Sequence, residues 1–158
     1  MAPVTLAQSA DTGVLIELPL GPGTPLAVAE PFLPVTTLLG VALLGLLIWL
    51  TMRIVRERQS NRVSLGSGGV ESLERAARAH GNLAEFAPFG LILTGLAELQ
   101  GAPWWLLAPT ALAFFAGRVL HALAFTGPTM SFPRRAAGMK LTIFSLGGLA
   151  VTALGSLW

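Results

Sequence analysis

The chain has 158 residues, 53% apolar and 11% charged, with a formal net charge of +2. A soluble domain carries about a quarter of its residues charged, so this chain has too few to coat a globule and burial in a membrane is the better reading. Nine arginines and one lysine stand against eight carboxylates without a basic patch interleaved with aromatics, which argues against a nucleic-acid partner, and the absence of cysteine excludes disulfides, thiolate metal sites and a protein thiol nucleophile.

Residues 1–31 are rich in Pro and Gly and are made acidic by Asp11, Glu17 and Glu30. They read as a loose tail. Without a positive segment ahead of an apolar core, the tail does not read as a secretory signal. The first apolar run, "FLPVTTLLGVALLGLLIWLTM" at 32–52, carries no charge. It meets the roughly 20 residues needed to cross a hydrocarbon core of about 30 Å. Pro34 sits near its start, where it does least harm, and Trp49 near its end, as an interfacial anchor. A basic loop with a Gly/Ser end, "RIVRERQSNRVSLGSGG", follows at 53–69. Its "GSGG" is a linker and not a phosphate-cradling loop, because no Gly-Lys-Ser/Thr follows.

Further helices are expected at about 71–99, 103–126 and 136–157, joined by the tight "QGAP" hairpin and the Gly/Pro turn "TGPTMSFPRR". No strand-forming alternation and no repeat occurs. The fold class is all-α and integral to the membrane: a domain over 32–158 built as a four-helix up-down bundle. Arg53, Arg56, Arg58 and Arg62 fall in the first loop and Arg134 and Arg135 in the third, whereas the tail and the second loop hold neither Arg nor Lys. The positive-inside rule then places both basic loops in the cytoplasm and both termini outside, with Trp104, Trp105 and Trp158 at the outer interface. The excess of Arg over Lys, with abundant Ala and Leu, points to a GC-rich bacterium and hence a plasma membrane.

The densest polar cluster, "ERAARAHGNLAEFAP" at 74–88, runs into the apolar "FGLILTGLAEL". The twelve residues between Glu85 and Glu98 rise only about 18 Å, short of the membrane core. If this helix spans, Asn82 and Glu85 lie at membrane depth. Glu74, Arg78, Asn82 and Glu85 are spaced i, i+4, i+8, i+11 and fall in a stripe some 80° wide; His80 and Arg75 lie outside it. A charge at the bilayer centre costs at least about 2.5–3.5 kcal/mol, so the stripe turns toward other helices, a neighbouring subunit or a wet pocket. Arg118 and His121, three apart in "FFAGRVLHALAF", repeat the pattern on the third helix. Four helix ends thereby bring ionisable groups to one depth. The plainer alternatives are that Arg78, Glu74 and Glu85 neutralise one another, and that the basic residues, Lys140 among them, reach to lipid headgroups. Pro88 shapes its helix by freeing the carbonyl of Ala84.

Several guanidiniums, carboxylates and an amide in one pocket suit a small zwitterionic, net-anionic ligand. Glutathione, with two carboxylates, an amine and two amides, is of that kind, although composition alone does not select it.

The cluster resembles the second-helix signature of the membrane-associated proteins in eicosanoid and glutathione metabolism, the MAPEG family, and is nearest to the Glu-Arg-x-x-Arg-Ala-His-x-Asn-x-x-Glu-x-x-Pro of microsomal glutathione transferases. The likeness extends over about 32–158. It implies a homotrimer with glutathione bound between subunits near the cytoplasmic face, with lipid and lipophilic small molecules as the other partners. It carries glutathione binding onto Arg78, His80, Asn82, Glu85 and, through "GRVLHALAF", Arg118. Thiolate stabilisation falls on Arg134, with Arg135 as the rival register. Phe86 and Phe125 stand where relatives often place tyrosine, a residue this chain lacks, and His121 is the replacement donor. The implied chemistry is attack by a glutathione thiolate on a lipophilic electrophile or a peroxide, with no metal. The alternatives are a catalytically silent binding or scaffold protein on the same fold, favoured by the missing tyrosines, and a small transport subunit, disfavoured for cations by the arginines.

Overall fold

The computed structural model describes residues 32–157. The acidic tail and the anchor expected at Trp158 lie outside the described residues. Four helices account for nearly all the rest: α1 Pro34–Asn61, α2 Glu71–Leu99, α3 Trp104–Leu123 and α4 Phe132–Gly155. No strand occurs among the described residues. α1, α3 and α4 are each long and apolar enough to cross a membrane. α2 is the longest at 29 residues, but its first half holds the polar cluster.

α1 does not stop at Met52. It continues as helix through Arg53, Arg56 and Arg58 to Asn61, so three of the four arginines assigned to a loop stand on a helical extension. Arginine is a good helix former, and nothing in this stretch breaks the helix. The stop comes at Arg62, whose φ of 54° lies in the left-handed region. The amide of Val63 donates to the carbonyl of Arg58 (3.0 Å) and that of Arg62 to Gln59 (3.4 Å), which is the paired closure of a Schellman motif. The same closure ends α2: Ala102 donates to Ala97 (2.9 Å) and Gly101 to Glu98 (3.1 Å). There the left-handed residue is Gly101, with φ 77° and no Cβ penalty. α4 starts earlier than the apolar pattern suggests, because Pro133 fits the first turn of a helix.

α2 and α3 form the centre of the bundle. Each touches all the other helices, whereas α1 and α4 do not meet. The core follows helical periodicity: Leu39, Leu43 and Leu50 on α1, Ala76, Ala79 and Leu83 on α2, Leu107, Ala111 and Phe114 on α3, Leu149 and Ala153 on α4. Close approach is bought with glycine at two places. A Cβ on Gly90 would lie 2.3 Å from the Phe114 ring, and one on Gly138 would lie 2.5 Å from the amide nitrogen of His121. The second contact makes the α3–α4 crossing a backbone-to-backbone one.

Both ends of the α1 packing are fixed by charge. At one end the Glu98 carboxylate accepts from the amides of Val35 and Thr36, each at 2.8 Å. These are first-turn amides with no partner inside their own helix, and a carboxylate also suits the positive end of the helix dipole. At the other end Arg53 donates to the carbonyls of Phe125 (3.0 Å) and Thr126 (3.1 Å) just beyond α3. Arg53 is thereby a tie between helices and not a lipid anchor. Replacing Glu98 by Ala leaves the two amides unpartnered at an apolar helix end. Glu98→Ala is expected to destabilise the protein by about 1–3 kcal/mol and Glu98→Gln by less, measured by denaturant unfolding in detergent micelles.

Candidate functional site

A cleft of about 500 Å³ opens at the end of the bundle where α2 and α4 begin and α3 ends. The helix phase of α2 decides what it offers there. Its buried side carries Leu73, Ala76, Ala79 and Leu83, and the Glu74–Arg78–Asn82–Glu85 stripe lies on the far side from that core. All four stripe residues line the cleft, with Ala77 and Gly81 between them. Leu73 of α2, Arg58 from the α1 extension, His121 near the end of α3, Phe125 just beyond it, and Arg135 and Met139 from α4 complete it, beside Gly66 and Ser67 of the first loop.

The charges in this cleft are not consumed by one another. Among the described residues the one ion pair is Arg75 with Glu71, a turn apart, with Arg75 off the stripe. Glu74, Arg78 and Glu85 are exposed, and they do not make the mutual neutralisation considered above. Arg58 contributes a buried Nη1 with no hydrogen-bond partner. Three guanidiniums and two carboxylates therefore face a common space without an ion-pair partner among the described residues.

Behind the cleft lies a buried cation. Arg118 is 2% exposed. Its Nη1 donates to Asn82 Oδ1 at 2.6 Å. Its Nε donates to Thr142 Oγ1 at 2.8 Å, and Nη2 donates to the same oxygen. Its guanidinium carbon lies 4.9 Å from the centre of the Phe86 ring, within range of a cation–π interaction. No carboxylate pairs with it among the described residues. Thr142 is able to serve twice as acceptor because its own proton goes to the Gly138 carbonyl at 2.8 Å. Gly117 supplies the room, since a Cβ there would stand 2.7 Å from Thr142 Oγ1.

Of the residues singled out from sequence, Arg78, Asn82, Glu85 and His121 line the cleft. Arg118 reaches it through Asn82 and is not itself at the surface. His80 is half-buried and does not line the cleft, in keeping with its place off the stripe. Arg134 is exposed and outside the cleft, whereas Arg135, its neighbour in sequence, lines it. The two phenylalanines in the tyrosine places are engaged by cationic or ring partners: Phe86 against Arg118, and Phe125 with its ring centre 5.3 Å from that of His121. Sequence reasoning missed Arg58, which becomes legible once α1 is continued past the membrane. It also missed Thr142, whose signal is a hydroxyl one turn after Gly138 in an apolar helix.

Comparison with known proteins agrees with the signature. The model of the MAPEG family matches residues 36–155. The inner membrane protein YecN of Escherichia coli K12 is 33% identical over 113 residues, covering 72% of this chain and 82% of YecN, and its counterpart in Escherichia coli O6:H1 matches to the same extent. With four helices in a bundle, the signature on α2 and a family match over most of its length, the chain belongs to the MAPEG family, as an integral membrane protein of bacterial type.

Proposed function

We propose that the cleft binds glutathione and that the protein is a membrane glutathione transferase or peroxidase. The observation that carries this reading is the set of unpaired charges in one cleft: Arg58, Arg78 and Arg135 with Glu74 and Glu85. Guanidiniums take the two carboxylates of glutathione in bidentate fashion, a glutamate takes its ammonium, and Asn82 serves its amides. Of the two rival registers, Arg134 and Arg135, this reading takes Arg135 as the thiolate arginine, because it lines the cleft and Arg134 does not. Lowering a thiol by one pKa unit needs about 1.4 kcal/mol, within reach of one partly desolvated cation. The thiolate then forms a sulfur–carbon bond with a lipophilic electrophile from the bilayer as its leaving group departs, or takes an oxygen from a peroxide as the O–O bond breaks and an alcohol leaves, a second glutathione then closing the disulfide with release of water.

The same reading includes a homotrimer. One face of α2 is uncovered along its length: Glu74, Arg78 and Glu85 in its first half, then Phe89, Ile92, Leu96 and Leu99, which are 44–62% exposed. Charges on this face at membrane depth call for a protein neighbour and not lipid. The basic end of the bundle, with Arg56, Arg58, Arg62, Arg134 and Arg135, faces the cytoplasm in this proposal.

A second reading, a binding protein without catalysis, is favoured by Phe86 and Phe125, because neither offers a hydroxyl to sulfur. Ultraviolet thiolate absorbance of the detergent-purified protein during glutathione titration separates the two. The enzyme shows binding with a thiolate band, and the silent protein shows binding without one. Arg135→Ala is expected to lose the band and Arg134→Ala to keep it; the opposite result places the thiolate on Arg134. Orientation is open to single-cysteine labelling on this cysteine-free background. Ser64→Cys and Thr129→Cys are expected to react with an impermeant maleimide only after the cells are permeabilised, and Pro103→Cys in intact cells.

A further inference from the structure

We propose that Arg118 is a positioning residue that turns Asn82 into a pure hydrogen-bond donor toward the cleft, so that the site selects a ligand acceptor, a carbonyl or carboxylate oxygen, at that point. This rests on the glutathione reading above and adds to it which face of the amide the ligand meets.

An asparagine amide is ambiguous. It offers two donors on one side and an acceptor on the other, and it can turn either to a ligand. Here the choice is made by the neighbour. A guanidinium has five N–H groups and no acceptor, so the Asn82 atom 2.6 Å from Arg118 Nη1 is the oxygen. Nδ2 is then left on the other side. It makes no hydrogen bond among the described residues, and Asn82 lines the cleft. The amide cannot flip without setting two N–H donors against a buried cation.

Arg118 is itself held against rotation. Thr142 takes two of its donors, and that hydroxyl is locked by its own bond to the Gly138 carbonyl. The ring of Phe86 covers the guanidinium. The absence of a carboxylate partner matters. A carboxylate would neutralise Arg118 and weaken its hold on a neutral amide, whereas an unpaired cation polarises the Asn82 carbonyl and makes its N–H groups better donors. The positive field behind the amide also favours an anionic oxygen in front of it.

Asn82→Asp tests this directly, because it keeps the shape and improves the partner for Arg118 while replacing the donor by a second acceptor. Melting in detergent and glutathione binding by calorimetry are measured on wild type and variant. The expected result is a melting midpoint equal to or above that of wild type, with glutathione affinity reduced roughly ten-fold or more, the size of exchanging a donor for an unsatisfied acceptor. Wild-type affinity retained within about two-fold overturns the proposal and leaves glutathione binding standing. Absence of binding to the wild type overturns the glutathione reading, and this inference with it. Should Asn82→Asp not fold, Thr142→Val and Thr142→Ser decide. Thr142 is outside the cleft, so weaker glutathione binding in the Val variant with recovery in the Ser variant supports the relay, and equal affinity in both overturns it.

Discussion

A guanidinium buried between α2, α3 and α4 has to be solvated by the protein, and the way Arg118 is solvated sets the geometry around it. Isolated ions in a low-dielectric interior are penalised by several kcal/mol even after relaxation. The usual remedy is a carboxylate, and this chain supplies none at that place among its described residues. Instead it uses an amide oxygen, a threonine hydroxyl and an aromatic face from two neighbouring helices: Asn82 and Phe86 on α2, Thr142 on α4. Three neutral partners surround the cation without cancelling it. The charge stays, and the cleft in front of Asn82 feels it.

That solution dictates helix spacing. Thr142 meets Arg118 only if α3 and α4 come nearly into backbone contact, which Gly117 and Gly138 permit by facing one another's helix. In hydrocarbon no hydrophobic force presses helices together, and close packing of small residues with interhelical hydrogen bonds takes its place. The crossing thus does two jobs with the same atoms: it joins α3 to α4, and it seats the guanidinium. The ties at the bundle ends follow a similar logic. Glu98 satisfies amides at the start of α1 and Arg53 satisfies carbonyls after α3, so side-chain charges serve helix ends that water would serve in a soluble protein.

Much of this was legible in the sequence, and the failures are instructive. The three apolar helices announce themselves by length and hydropathy, and the phase of Glu74, Arg78, Asn82 and Glu85 is enough to put them on one face and in one cleft. Helix ends were harder. Charge after Met52 suggests a loop, but arginine continues a helix readily, and the true stop at Arg62 depends on a left-handed backbone conformation that only glycine advertises. The α2 terminus was easier because Gly101 does advertise it. Register at Arg134 and Arg135 could not be settled by pattern, since adjacent residues on a helix differ by a large rotation and two arginines carry the same signature. Nor could the depth of Arg118: spacing places it on the face of His121, but only the Gly117–Gly138–Thr142 crossing, a relation between two helices, shows that it is buried behind the cleft and not in it.

The division between buried and open charge bears on how such a cleft could tell one anion from another. Arg118 is permanently enclosed, so its field acts before any ligand arrives and needs no side-chain rearrangement. Arg78 and Arg135, together with the two glutamates, stand in the cleft with exposed, long side chains. Fixing them on a ligand costs conformational entropy that only simultaneous bonds recover. A monovalent anion would meet the fixed field but engage few of the outer groups. A ligand with separated carboxylates and an ammonium engages cations and anions together and neutralises both. Under the proposed reading, the rigid inner cation supplies attraction and the exposed outer charges supply discrimination, and the small flank of α2 at Ala77 and Gly81 leaves the space in which both act at once.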